Sequence, residues 1–250
     1  MRQHIDTAPL WESYRQDSEC PLCLLNARTE AANADYFLGE SVMEPGQRIE
    51  VNQKGFCARH FKLMYDAGNR LGLALMTQTH MRETMKTLKT QAERARAAAA
   101  EEAGKGVFRR IGGKKSDALT EIAGELKQLD GKCVFCERIR DNMDRYMYTL
   151  LWMYRHEPDF PALFAQSRGM CLKHYAEALE NAPKHLSGDA LKRFVDTLSR
   201  IEMESFDRLE QEIDWFAKKF DYRNQDKPWG SSRDAVKRAI NKLRWQIIEE

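Results

Sequence analysis

The chain has 250 residues and carries 40 Lys plus Arg against 38 Asp plus Glu, a formal charge of +2, with 42% hydrophobic and 31% charged residues. Such a length can bury one large or two small cores without disulfides. The near-neutral balance excludes a global field that would draw the whole protein to nucleic acid or an anionic membrane. A mean hydropathy of -0.66 with only 14 Gly and 7 Pro describes a water-soluble chain that favours helix over a turn-rich sheet.

From the N-terminus, MRQHIDTAPLWESYRQD lacks the apolar core and small-residue cleavage site of a secretory signal, so the expected address is the cytoplasm. A CxxC knuckle, Cys20 and Cys23, then opens a helix in which Pro21 is tolerated because a first-turn N–H has no partner to lose. Glu44-Pro45-Gly46 breaks this helix near Met43. Gly55 turns the chain, and Cys57 and His60 start another helix near Phe56. The apolar run Leu71 to Met76 is far shorter than the roughly 20 residues a membrane span needs, so no transmembrane segment is expected. An Ala-rich helical end then gives way to a Gly-rich basic stretch with Arg109, Arg110, Lys114 and Lys115, read as a linker. Its Gly-Gly-Lys-Lys-Ser run lacks the earlier Gly and the preceding strand of a phosphate loop.

The second half repeats the first. Cys133 and Cys136 stand 113 positions after Cys20 and Cys23, while Cys171 and His174 stand 114 after Cys57 and His60. Gly169 matches Gly55, and Tyr175 follows its His as Phe61 does. All six Cys are used, so internal duplication is the economical reading. Ile139, Met143, Tyr146, Leu150 and Tyr154 give helical periodicity up to Glu157-Pro158. Leu191, Phe194, Val195, Leu198, Ile201, Leu209, Ile213 and Phe216 mark a long amphipathic helix with Ser187 and Asp189 at its start. A last helix is predicted from Ser231 or Ser232 through Val236, Ala239, Ile240, Leu243 and Ile247.

The expected fold is therefore all-α: two tandem metal-clipped helical hairpins plus a C-terminal helical tail. The modules are placed at 9–96 and 116–220, with a basic linker at 97–115 and a clasp and helix at 221–250. Each hairpin would hold one ion with its own ligands: Cys20, Cys23, Cys57 and His60 in the first, and Cys133, Cys136, Cys171 and His174 in the second. Three thiolates and one imidazole suit tetrahedral zinc, two ions per chain, and a full four-ligand shell is structural, without the open position of catalytic zinc. Iron–sulfur clusters on the same ligands are the alternative, and metal-free thiol chemistry a third reading. Thiol–disulfide exchange lacks its βαβ context, and covalent haem lacks a His after either knuckle. Arg59 and Lys173 are candidates to offset the negative charge of the centres.

At CPLC and GFCARH the chain resembles an uncharacterised bacterial domain-of-unknown-function family with duplicated CPxC…GFCxxH modules. CVFC and GMCLKH depart from that pattern at the Pro and Phe but keep every ligand. The closing KFDYRNQDKPWGSSRDAVKRAI also resembles the family. The resemblance implies metal binding and helical architecture and carries no reaction with it.

Outside the ligands, Phe220 to Trp229 reads as a clasp, or else as a binding lip around Tyr222 and Arg223. The eleven Met residues read as core filling with some adaptable surface. His4, His80, His156 and His185 receive no role. The expected function is an interaction or regulatory scaffold that meets a protein partner, with a redox or metal-trafficking protein as the alternative. Nucleic acid is the lesser partner class, read from Arg233, Lys237, Arg238, Lys242 and Arg244 on the last helix together with the linker.

Overall fold

A computed structural model describes residues 3–104, 118–245 and 247. The linker residues Arg109, Arg110, Lys114 and Lys115 lie outside them. The described residues form eleven α-helices, joined by turns and short 3-10 segments. These are α1 (Gln3–Arg15), α2 (Pro21–Leu38), α3 (Pro45–Lys54), α4 (Ala58–Asp66), α5 (Arg70–Gly104) and α6 (Ala118–Asp130). They continue with α7 (Val134–His156), α8 (Phe160–Gln166), α9 (Leu172–His185), α10 (Gly188–Lys218) and α11 (Ala235–Arg244). The all-α expectation holds, and no helix among the described residues is long and apolar enough to cross a membrane.

Two compact units result. One comprises Met1–Thr29 with Ile139–Glu250, the other Glu30–Arg138. This differs from the tandem order expected from the duplication, because each unit takes chain from both repeats. The helix lengths accord with this division. The 18 residues of α2 advance about 27 Å and the ten of α3 only about 15 Å, so α3 cannot carry Cys57 back to the start of α2. The 23 residues of α7 advance about 34 Å against about 10 Å for the seven of α8, with the same consequence for Cys171.

In the first unit α10 packs on α8, α9 and α11, and α1 packs on α8. Phe160, Phe164 and Phe194 are fully buried at its centre. Trp11 and Tyr14 meet Phe160 edge to face at 5.3 and 5.2 Å, and Tyr154 meets Phe194 at 5.0 Å. Such pairs contribute about 0.5–1.5 kcal/mol beyond the area they bury. In the second unit α5 packs on α3 and α6, and Phe37 joins Phe56 and Phe135 at 5.3 and 5.6 Å.

Several predicted ends move. α2 stops at Leu38 rather than near Met43, because a separate 3-10 turn occupies Glu40–Met43 before Pro45 opens α3. The last helix starts after Asp234, not at Ser231 or Ser232. Ser232 belongs to a 3-10 turn and donates its hydroxyl to the Trp229 carbonyl at 2.7 Å. Trp245, left-handed at φ 54, ends α11, so Ile247 lies beyond the helix it was assigned to. The Phe220 to Trp229 segment is tied back to the end of α10. The Lys219 ammonium donates to the carbonyls of Asn224, Gln225 and Lys227, and Trp215 donates to Pro228 at 3.1 Å. Tyr222 stays exposed, and Arg223 is held by Asp221.

Candidate metal centres

The local backbone repeats as the sequence does. Cys20 and Cys133 directly precede the first residues of α2 and α7, which puts each knuckle at a helix entrance. Cys57 and Cys171 are the N-cap residues of α4 and α9, with φ/ψ of −71/164 and −73/160. Their carbonyls accept the first helical bonds, from Phe61 and Tyr175, both at 2.9 Å. His60 and His174 therefore project from the first turn beside their Cys. The preceding glycines are required. Gly55 and Gly169 sit at φ +65 and +76, and a Cβ there would lie 2.4 Å from the His80 ring and 2.3 Å from a Glu202 oxygen.

The eight ligand candidates come together in two quartets, but not in the expected pairs. Cys20 and Cys23 meet Cys171 and His174 in the first unit, while Cys57 and His60 meet Cys133 and Cys136 in the second. Each knuckle is completed by the CxxH of the other repeat. In the first quartet His174 Nδ1 lies 3.3, 3.6 and 3.2 Å from the sulfurs of Cys20, Cys23 and Cys171. Cys23 and Cys171 are 3.6 Å apart. In the second, His60 Nδ1 lies 3.3, 3.4 and 3.4 Å from Cys57, Cys133 and Cys136, and the Cys57 and Cys136 sulfurs are 3.8 Å apart. Four donors on a tetrahedron with metal distances of about 2.3 Å to sulfur and 2.0–2.1 Å to nitrogen stand about 3.3–3.8 Å apart. Both quartets fit one ion.

Their chemistry without an ion points the same way. Burial pushes the Cys133 thiol up, but hydrogen bonds from His60 and from the Cys136 and Cys57 N–H groups outweigh it and hold the thiol at about 6. Burial, then the neighbouring Cys133, pushes Cys136 up to about 12. In the other quartet hydrogen bonds from Cys20 and Cys23 hold Cys171 far below the ordinary thiol range. Its partners go the other way: the bond to Cys171 lifts Cys23 to about 12, and burial lifts Cys20. In each quartet the surroundings favour ionising one thiol, Cys133 or Cys171, and oppose it at a neighbouring one. An ion binding there displaces protons, so its affinity falls as pH falls.

The surroundings differ. All four ligands of the first quartet are buried, whereas in the second Cys136 is exposed and Cys57 half-buried. His60 stacks on Phe135 at 4.1 Å, and its Nε2 lies 3.0 Å from a Glu30 oxygen. With an ion in the quartet this bond would fix the tautomer, Nε2–H donating to the carboxylate and the Nδ1 lone pair turned toward the ion. Arg59 grips Glu30 at 2.8 Å, so it acts on this carboxylate. His174 Nε2 has Glu177 at 3.9 Å instead, and Lys173 lies over the Trp245 ring at 4.3 Å. Glu30→Gln is expected to weaken metal binding at the second quartet by roughly 10–100-fold and leave the first unchanged; competition with a chromophoric chelator measures both.

The sequence reading missed a buried ionic lock beside the first quartet. Glu19, next to Cys20, accepts from Arg168, Arg208 and Arg238 at 3.1, 2.6 and 3.1 Å. Lys242, also buried, lies 3.3 Å from Glu202 and donates to the Glu19 and Arg168 carbonyls. Glu202 in turn accepts the Met170 N–H at 2.9 Å. These bonds fasten α10 and α11 to both ligand loops. Arg238 and Lys242, read as part of a basic face, are thus committed inside the unit. The histidines without an assigned role divide similarly: His80 Nδ1 contacts the Asn52 carbonyl at 3.0 Å, and His156 Nδ1 that of Trp152 at 2.8 Å.

Compared with known proteins, residues 1–250 match the model of a family of unknown function, DUF6062. An "Uncharacterized 23.9 kDa protein in xynA 3'region" of Caldicellulosiruptor sp. (strain Rt8B.4) is 23% identical over 215 residues, covering 85% of this chain and 87% of that protein. No solved structure matches.

Proposed function

The chain belongs to this family of unknown function, and on that premise we propose that it is a zinc-binding helical scaffold of the reducing cytoplasm, with two structural Cys3His centres. The observation that carries the reading is the spacing of the donors. In each quartet all four lie within 4.8 Å of one another, a separation suited to one tetrahedral ion, whereas a multi-iron cluster sits between its ligands and spreads them. Three thiolates and an imidazole are a donor set that zinc accepts, and four protein ligands fill its shell. The six cysteines are all free thiols, as a reducing compartment maintains them.

When bound, zinc would supply a fixed charge and a cross-link. The chain's own residues do the rest: Cys20 and Cys23 anchor α2 to α9, Cys133 and Cys136 anchor α7 to α4, and Glu30 orients His60. The product is a rigid helical surface. Anaerobic purification, elemental analysis and visible absorption test it. About two zinc ions per chain in a colourless solution are expected; brown protein containing iron and sulfide would overturn the zinc assignment.

A further inference from the structure

We propose that the outward side of α5 is a docking surface for an acidic amphipathic helix of a partner protein. This gives the scaffold reading a partner class, and its evidence is α5's own surface. Leu71, Ala74, Met81, Met85, Leu88 and Ala92, with Gln78 between them, follow one another at alternating three- and four-residue steps, the a/d seam of a helix pair. All are solvent-exposed, with Leu71 at 71%, Met81 at 61%, Met85 at 49% and Leu88 at 43%.

Leu73 and Met76 are buried on the inward side near the start of α5, but further along that side turns polar. Thr84 and Thr87 are half-buried there, and buried Gln91 donates to Glu125 of α6 at 2.7 Å. A surface helix normally turns its apolar stripe to the core, and α5 presents a second stripe outward. Met81 and Met85 line a shallow open depression on the surface of α5, and Met side chains adapt readily to a packed partner.

Charge selects the occupant. Arg82, Lys89 and Arg96 each follow a d position, which places them along one edge of the seam. None of the three forms an ion pair among the described residues, whereas neighbouring Lys86 is already bound to Glu83 at 2.8 Å. An antiparallel second copy would set these cations against one another. A parallel copy would set them against Thr84 and Gln91, which face the chain's own helices. A partner helix with Leu-like residues at its seam and Glu or Asp beside it satisfies both the stripe and the cations.

The test uses the full-length protein and fluorescence anisotropy. The probes are labelled helical peptides of about three heptads, with Leu at a and d and either Glu or Lys at the flanking positions. The Glu peptide is expected to bind, more weakly as salt rises, and the Lys peptide not to bind. Arg82→Glu/Lys89→Glu and, separately, Met85→Ser are expected to weaken binding at least about tenfold, with helicity and metal content unchanged because these side chains are exposed. Equal binding of both peptides, no binding of the Glu peptide, or unchanged affinity in the variants would overturn the proposal. So would a sedimenting dimer abolished by Met85→Glu, which would assign the stripe to a second copy. Metal analysis on the same sample separates the two readings: a zinc-replete protein that ignores the Glu peptide defeats the docking surface alone, and a metal-free protein that binds it defeats zinc alone.

Discussion

The double variant Cys20→Ser/Cys171→Ser is expected to keep about one metal ion per chain, whereas Cys20→Ser/Cys57→Ser is expected to keep none. The contrast follows from the crossed quartets. Cys20 and Cys171 belong to one cluster, so removing both destroys one site; Cys20 and Cys57 belong to different clusters, so removing both destroys two. Ligands paired within each repeat would give the opposite result. The variants contain the same number of lost thiols, which makes the comparison independent of general thiol chemistry. Elemental analysis and native mass spectrometry read the outcome. Because a structural zinc centre contributes on the order of 10 kcal/mol to folding, thermal unfolding should separate the pair as well, with the Cys20→Ser/Cys57→Ser protein melting lower.

Why the sequence discloses the ligands but not their pairing is a matter of range. Cys20 with Cys23, or Cys57 with His60, are joined by a single helical turn, so spacing alone places them together. The partner of a knuckle depends on where a long helix delivers the chain, and α2 and α7 are too long for α3 and α8 to retrace. Gly55 and Gly169 were legible as turns from their places before the third Cys, although only the structure shows His80 and Glu202 pressed against them. The ionic lock had no local signal. Glu19 draws Arg168, Arg208 and Arg238 from three distant parts of the chain, and in a sequence each is an ordinary surface charge. α5 shows a different limit: which of its apolar residues stay outside depends on what α3 and α6 already cover.

Challenged with a chelator, the zinc-loaded protein is expected to release its metal in two phases, the quartet of Cys57, His60, Cys133 and Cys136 first, separated by at least about tenfold in rate. Cys136 is exposed and Cys57 half-buried, so a competing ligand can reach those sulfurs in the folded state. The other quartet is buried: its ligands are at most 2% exposed, Trp245 places its carbonyl 3.8 Å from Cys23, and the Glu19 and Lys242 bonds hold α10 and α11 in place. Release there requires local opening, and each 1.4 kcal/mol of opening cost slows it about tenfold. His60→Ala should abolish the fast phase and His174→Ala the slow one, which assigns the phases without relying on rates alone. Alkylation read by mass spectrometry should follow the same order, with Cys136 modified before Cys20, Cys23 or Cys171. A single phase, or early modification of Cys20 or Cys23, would show that the buried centre opens as freely as the exposed one and that the lock around Glu19 does not restrain it.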